Sequence, residues 1–255
     1  MNITAAQVND LRKRTGVSMM ECKNALTEAN GDEEKAIEIL RKRGAAKAAK
    51  KADRDTTEGV VLTETGNGKT AMVKMMCETD FVAKNEEFIA IGQAALKEAL
   101  ANGAEAAMQK EEPALKELFA KLGENMSMEV EVMEGDGVGT YVHSNNKIGV
   151  MVNLAQADEE KARDVAMHIA AMDPAVISPS EVSEDLVAKE RDIWMDQLQS
   201  EGKPADIMEK IMLGKEKKFR EEAALLKQAF VKNPDQTIEQ FLSGNTVTKF
   251  VRIAI

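Results

Sequence analysis

The sequence predicts an α+β protein: an N-terminal three-helix domain of the UBA-like type, a linker, and a duplicated core of antiparallel sheets and helices with an inserted helical hairpin. Three observations lead there. Helix start and stop signals crowd the first 44 residues, a strand-turn-strand pattern recurs along the chain, and a two-stripe helical pattern interrupts its second copy. The expected domains are residues 1–45, 46–58, 59–136 and 137–255, with the hairpin at about 180–226.

The three-helix unit is predicted from capping patterns. Capping boxes at residues 4–7 and 18–21 start the first two helices, and Asp32 can cap the third. A glycine stands where each helix should end, at Gly16, Gly31 and Gly44. A domain of about 45 residues buries little apolar surface, so contact with a neighbouring domain or a partner would stabilise it.

Two methionines, Met19 and Met20, open the second of these helices side by side. Adjacent helical positions cannot both face the same core stripe, so we expect at least one of the two on the surface. Methionine adapts readily to a binding surface. The alternative is that Met19 packs within the three-helix unit.

Residues 46–58 are rich in alanine and lysine and contain no large apolar side chain. This composition predicts a basic linker. No aromatic residue is interleaved for base stacking, which favours a solvated connector over a nucleic-acid-binding arm.

The stretch from residue 70 to residue 84 reads as a central strand that turns into a helix. Its apolar residues from Met72 to Cys77 are dense enough for a strand buried on both faces. Thr79 or Asp80 can cap the following helical turn. Phe81 then stands at the start of that turn, and a core position is one interpretation, because most phenylalanines are buried.

An internal duplication favours the opposite interpretation of Phe81. The pattern around Gly59 recurs around Gly137, an offset of 78 residues, and both copies read strand, turn, strand, acidic cap, helix. The turns at 66–69 and 144–147 supply glycine and asparagine, which tolerate positive φ in tight hairpins.

At this offset Asp80 aligns with Asp158, whereas Phe81 aligns with Glu159. The shared architecture therefore does not require an aromatic residue there. An exposed Phe81 that inserts into a partner becomes a hypothesis of equal standing with a buried one.

The pattern from residue 179 to residue 226 predicts a helical hairpin of the coiled-coil type, with its turn at 201–204. Its apolar stripes include Leu186, Ile193 and Trp194. Packing between the two arms could satisfy these stripes, and self-association of the chain through the hairpin is the alternative.

Composition limits the class of function. The 255-residue chain has a net charge of −10, which argues against nucleic acid as the main partner. Its two cysteines, Cys22 and Cys77, lie far apart, as expected for a protein of the reducing cytoplasm. No apolar run approaches the roughly 20 residues that cross a bilayer.

A phosphate-binding loop is not predicted, although residues 66–70 end in Gly-Lys-Thr. That motif needs a further glycine where the chain has Thr63. We find no arrangement typical of a catalytic, metal or cofactor site, and we expect His168, on an apolar-periodic helix, to be structural.

Four segments resemble one known family, the bacterial elongation factor Ts. They are residues 11–26 (LRKRTGVSMMECKNAL), 77–84 (CETDFVAK), 121–125 (KLGEN) and 141–143 (YVH), the last followed by Ile148 and Gly149. The resemblance implies a guanine-nucleotide exchange factor that binds elongation factor Tu, both GDP-bound and nucleotide-free. It implies that Asp80 and Phe81 enter the partner's GTPase domain and disturb its magnesium and phosphate site.

The resemblance also implies the contact residues for elongation factor Tu. The matching positions are Arg12, Met19, Met20, Lys23, Thr79, Asp80, Phe81, Val82, Leu122, Gly123, His143 and Val231. Lys232 replaces an apolar residue expected beside Val231. A passive protein-binding adaptor without exchange activity is the alternative function, and a small-molecule enzyme is a more distant one.

Overall fold

The computed structural model describes residues 3–51, 53–202 and 204–255, and it confirms the α+β class. The described chain divides into two compact units. The first holds the residues up to Glu134 with Ser144–Gly149 and Ile253–Ile255, and the second holds Gly135–His143 and Val150–Arg252. No helix within the described ranges is both long enough and apolar enough to cross a membrane.

The first unit begins with three helices, α1 (Ala5–Thr15), α2 (Met19–Glu28) and α3 (Glu33–Lys51). The predicted N-cap residues are present, but at α2 Ser18 accepts from the Glu21 amide without the reciprocal bond of the predicted capping box. Thr4 and Gln7 form a capping box on α1, and the Asp32 carboxylate accepts a hydrogen bond from the Lys35 amide at 3.1 Å. The buried side chains between these helices form a small core of their own, including Leu11, Cys22, Leu26 and Leu40.

Gly44 does not end the third helix, contrary to the sequence prediction. It lies inside α3, which continues to Lys51, so the first part of the predicted linker is helical. Alanine and lysine are strong helix formers, which explains the continuation. Gly44 also has a packing role, because a Cβ atom there would lie 3.0 Å from the Cβ atom of Ala120.

A three-stranded antiparallel sheet follows, formed by β1 (Glu58–Gly66), β2 (Lys69–Cys77) and β3 (Met126–Glu134), with β2 in the centre. The prediction of a central strand is therefore confirmed. Asn67 and Gly68 join β1 to β2, and both have positive φ, 54° and 70°. Two positive φ values match the twist of a tight hairpin.

Helices cover this sheet: α4 (Asp80–Ala83), α5 (Glu86–Asn102) and α6 (Ala104–Leu122). The fully buried Phe88 of α5 belongs to the core that lies against β2. The periodicity predicts a helix only from Pro113, but α6 starts at Ala104 and Pro113 lies inside it. The residues between them are mostly strong helix formers such as alanine, glutamate and lysine.

The N-terminal helices dock on α6 within the first unit. Arg41 of α3 pairs with Glu117 at 3.4 Å. At the end of α3, the Lys51 ammonium donates to the Gly123 carbonyl at 2.5 Å and lies 5.7 Å from the centre of the Phe119 ring. The end of α3 is thus attached where α6 ends.

The second unit contains most of a sheet in the order β4 (Val138–Val142), β5 (Ile148–Leu154), β8 (Val247–Ala254). Helix α7 (Glu159–Met172) packs closely on β4, since a Cβ atom at Gly139 would lie 2.3 Å from the Arg163 amide nitrogen. Two further strands, β6 (Ala229–Phe230) and β7 (Asn233–Thr237), pair antiparallel, and α10 (Ile238–Leu242) follows them.

The predicted helical hairpin is formed by α8 (Glu184–Ser200) and α9 (Ala205–Ala223). Trp194 meets Phe219 edge to face, with ring centres 5.7 Å apart. Leu186 and Ile193, predicted in the same stripe as Trp194, are exposed instead. Only one face of α8 meets α9, and Leu186 and Ile193 lie off that face.

Candidate partner-binding site

The candidate site is built around the short helix α4 at the end of the central strand β2. Phe81 is 82% exposed, whereas the next residue, Val82, is 5% exposed and belongs to the core under the sheet. Of the two interpretations of Phe81 that the sequence leaves open, the exposed one is therefore correct. Val82 supports the turn from below and offers little surface of its own.

The backbone before Phe81 is tied to the loop that follows α6. The Glu124 carboxylate accepts two hydrogen bonds from Thr79, one from its amide at 3.0 Å and one from its hydroxyl at 2.7 Å. In return, the Asn125 amide donates to the Glu78 carboxylate at 2.7 Å. Glu78 and Thr79 are thus hydrogen-bonded to Asn125 and Glu124, respectively.

The carboxylate of Glu78 is held in its charged form by this arrangement. The Asn125 amide, followed by the nearby Arg54 guanidinium at 3.3 Å, lowers the pKa of Glu78. Arg54 is therefore anchored to the same segment, and its carbonyl oxygen accepts a further bond from the Asn125 side chain at 2.9 Å.

Asp80 does not cap a helix, contrary to the sequence prediction. Thr79 occupies the N-cap position of α4, and Asp80 is the first helical residue. Thr79 makes no side-chain cap bond either, because its hydroxyl donates to Glu124. Asp80 pairs instead with Lys84 at 2.7 Å, and that hydrogen bond lowers the pKa of Asp80.

The thiol of Cys77 makes a further hydrogen bond to the segment before Phe81. It is buried and donates to the Thr79 carbonyl at 3.2 Å. Burial, with the negative charge of Glu124 contributing, raises the pKa of Cys77 to about 11. The thiol therefore keeps its proton at neutral pH and remains a donor.

Leu122 and Gly123 lie where α6 ends, next to this network. Gly123 is the C-cap of α6, since it has a φ of 75° and its amide donates to the Phe119 carbonyl at 2.7 Å. Leu122 is exposed. The bonds between Glu124 and Thr79 place the end of α6 beside the Phe81 turn.

The remaining predicted residues of the first unit lie on the N-terminal helices. Met19 and Met20 both project into solvent, with Met20 66% exposed. Arg12 of α1 and Lys23 of α2 are exposed as well. These four side chains form a mixed apolar and basic surface suited to contact with another protein.

Two predicted residues belong to the second unit. His143 is exposed, and its ring meets Tyr141 edge to face at 6.4 Å. The Val231 side chain is exposed, while its amide donates to Nδ1 of His168 at 3.2 Å.

His168 has the structural role expected from its periodic position. It is fully buried, and burial lowers its pKa. Because Nδ1 accepts from Val231, the proton of the neutral ring is on Nε2, which donates to the Gln228 side chain at 3.0 Å.

Sequence reasoning missed Glu78 and Glu124 as residues that shape the site. The only local signal for Glu124 is its position directly after the glycine that ends a helix, which does not reveal its distant partner. Across the residues that the structure describes, no group of three His, Cys, Asp or Glu side chains could hold a metal ion.

The site presents one large exposed aromatic side chain, Phe81, on a turn whose backbone is bonded to a second segment, an arrangement suited to a protein that acts by binding another macromolecule. A family model described as Elongation factor TS matches residues 78–255. Elongation factor Ts of Pasteurella multocida (strain Pm70) is 47% identical over an alignment of 259 positions, which covers 99% of this chain and 92% of the relative. Elongation factor Ts of Pseudoalteromonas atlantica is 45% identical over an alignment of 267 positions, which covers 100% of this chain and 92% of the relative. This chain belongs to the elongation factor Ts family.

Proposed function

We propose that this protein is a guanine-nucleotide exchange factor for elongation factor Tu, and that it acts by inserting Asp80 and Phe81 into the partner's GTPase domain. Membership of the elongation factor Ts family supports the exchange role. The observation that carries the insertion is the 82% exposure of Phe81 on a backbone bonded to a second segment.

Exchange requires differential binding. A factor that binds the nucleotide-free partner more tightly than the GDP-bound partner weakens GDP binding by the same factor, because the coupling is reciprocal. Phe81 would bury its ring in a partner conformation in which the magnesium and phosphate site is disturbed. That conformation is selected only if the ring finds more apolar contact there.

The hydrogen bonds that hold the backbone before Phe81 support this mechanism. An exposed loop that must become ordered on binding loses part of its interaction free energy to conformational entropy. Here the residue two positions before Phe81 already makes two hydrogen bonds to Glu124. The aromatic side chain is presented by an ordered backbone, which preserves the free energy of insertion.

The other predicted contacts would hold the partner after the nucleotide has left. In the first unit these are Arg12, Met19, Met20, Lys23, Thr79, Leu122 and Gly123, and in the second unit His143 and Val231. Val82 has a different role in this proposal, since its burial makes it a support for Phe81. The partner is engaged in its GDP-bound and nucleotide-free states, in the cytoplasm.

We also infer that the core arose by duplication and that the N-terminal helices are a UBA-like domain. The strands β1 and β2, moved by the predicted offset of 78 residues, fall on 136–144 and 147–155, ranges that contain β4 and β5. Gly68 and Asn146, related by the same offset, both have positive φ. After the strands the copies differ, since α4 and α5 in the first copy correspond to the single helix α7.

The domain boundaries follow the same proposal with one change. The N-terminal domain extends to Lys51, where α3 ends, and the basic linker is correspondingly shorter. Self-association through α8 and α9 stays a prediction. The exposed apolar side chains of that hairpin available for it are Leu186, Ile193, Met195, Ile207 and Leu213.

The experiment that tests the function uses elongation factor Tu loaded with a fluorescent GDP analogue. Addition of this protein with excess unlabelled GDP should accelerate the loss of fluorescence in proportion to its concentration. A passive adaptor would form a complex without accelerating release, and that result would contradict the proposal.

A further inference from the structure

We propose that Glu124 is a positioning residue for nucleotide exchange, which holds the Phe81 turn in the conformation that binds the partner. The proposal rests on the proposed function of Phe81 and adds to it a residue that contacts neither nucleotide nor the inserted ring. Glu124 acts through Thr79, to which both oxygens of its carboxylate are bonded.

Helix α4 needs such support because it is only four residues long. A single helical turn is unstable by itself, since the cost of ordering its backbone exceeds the gain from its few hydrogen bonds. Its N-cap residue, Thr79, makes no cap bond with its own side chain. The stabilisation at this end therefore comes from outside the turn.

Glu124 supplies it with two charge-assisted bonds. The Thr79 amide and hydroxyl point at separate oxygens of one carboxylate, an arrangement that fixes direction as well as distance. Thr79 is two residues from Phe81, so a rotation of its backbone would move the ring away from its present position.

Glu124 is itself held in place. It follows Gly123, whose left-handed conformation ends α6 and whose carbonyl accepts from Lys51. On its other side, the Asn125 amide is bonded to Glu78. The Glu124 carboxylate is therefore held in place by α6 and the sheet, and its two bonds to Thr79 hold the turn in place as well.

Removal of the Glu124 carboxylate should loosen the turn without unfolding the unit. Val82 would still be buried in the core, and the Cys77 thiol would still donate to the Thr79 carbonyl. The freed amide and hydroxyl of Thr79 lie in a partly exposed position where water can replace the lost acceptor. The expected defect is in exchange more than in stability.

The test is a double-mutant cycle of Glu124→Ala and Phe81→Ala in the full chain, with fluorescent-GDP release from elongation factor Tu and thermal melting measured on all four proteins. Glu124→Ala should lower kcat/KM for exchange by roughly tenfold or more, since small misplacements of a reacting or binding group have large effects. In the Phe81→Ala background the same change should have a much smaller effect on exchange, limited to the weakened contact of Thr79 with the partner. Its effect on Tm should be equal in both backgrounds.

A conservative variant separates positioning from charge. Glu124→Gln can accept from the Thr79 amide with its oxygen and donate to the Thr79 hydroxyl with its nitrogen, because a hydroxyl can act as an acceptor. Glu124→Gln should therefore retain most of the exchange activity of the wild type. Glu112→Ala is the matched control, a carboxylate on α6 that is paired only with Lys116 in the next turn; it should exchange like the wild type.

Three results would overturn the proposal. Equal losses of exchange from Glu124→Ala in both backgrounds would show that Glu124 does not act through Phe81. If Glu124→Ala exchanges normally while Phe81→Ala is impaired, the positioning role of Glu124 is refuted and the proposed insertion of Phe81 still stands. Unimpaired exchange by Phe81→Ala would refute the proposed insertion itself, and the positioning role would fall with it.

Discussion

Phe81 and Val82 are consecutive residues of one helical turn in opposite environments: Phe81 is 82% exposed and Val82 is 5% exposed. Val82 attaches the turn to the core, and the larger Phe81 ring lies in solvent. Because phenylalanine is enriched in protein interfaces, we expect the Phe81 ring to contribute in a complex. This pair allows binding and folding to be tested separately at adjacent positions.

Replacement of Phe81 by alanine should impair exchange without destabilising the protein. We expect a loss of roughly 2 to 4 kcal/mol in binding or in activation of exchange, the range of a hot-spot residue. Tm should be unchanged, because the ring makes little contact within the chain. Fluorescent-GDP release and a melting curve measure the two effects.

Met172→Ala is the control for this prediction. Met172 is 47% exposed at the end of α7 and is absent from the predicted contact set, so its loss should leave exchange unchanged and Tm close to that of the wild type. A large drop in Tm for Phe81→Ala, with exchange preserved in the folded fraction, would refute the insertion.

Replacement of Val82 by alanine should have the reverse effect. The change removes about two methylene equivalents from a buried site, which corresponds to roughly 1 to 2 kcal/mol of folding stability. Urea unfolding measures this loss, and exchange by the folded protein should exceed that of Phe81→Ala. If Val82→Ala leaves the unfolding midpoint unchanged, the turn is not anchored through this side chain.

The two aligned aspartates should respond differently to replacement. Asp158 caps α7 by accepting from the Lys161 amide at 3.0 Å, so Asp158→Ala should cost about 0.5 to 2 kcal/mol of stability. Asp80→Ala removes only an exposed pair with Lys84 and should leave Tm unchanged while it weakens exchange. Melting curves of both variants provide the comparison, and equal destabilisation would contradict the difference in capping.

His168 should make stability depend on pH near neutrality. Burial lowers its folded-state pKa below the ordinary value of 6.5, so the unfolded chain binds a proton more readily than the folded chain does. This contribution to stability is complete above pH 6.5 and is lost as the pH falls from there through the folded-state pKa. Protonation would also remove the acceptor for the Val231 amide.

Melting curves between pH 7.5 and pH 5.5 measure this dependence. His168→Gln removes the titrating group, so its Tm should fall less steeply with decreasing pH than that of the wild type. Parallel profiles for the two proteins would show that His168 does not titrate differently in the folded and unfolded chains.

Local patterns in the sequence were sufficient for the elements whose stabilising contacts lie close along the chain. The capping box of Thr4 and Gln7 is satisfied within one helical turn, and the hairpin at Asn67 and Gly68 depends on the φ preferences of those two residues. For Phe81, the alignment with Glu159 only placed an exposed position on equal terms with a buried one, and the structure decided between them.

Other features depended on residues far apart in the chain. Glycine often ends a helix, yet Gly44 packs against Ala120 and α3 continues to Lys51. Asp80 has the position of a cap, yet the carboxylate that organises the turn is that of Glu124, which lies 45 residues after the Thr79 that it binds. The sequence alone determines the caps, turns and strands that satisfy themselves locally; only the tertiary structure decided how the Phe81 turn is held, because a backbone amide bonds to whichever distant acceptor the packing of the helices on the sheet brings within reach.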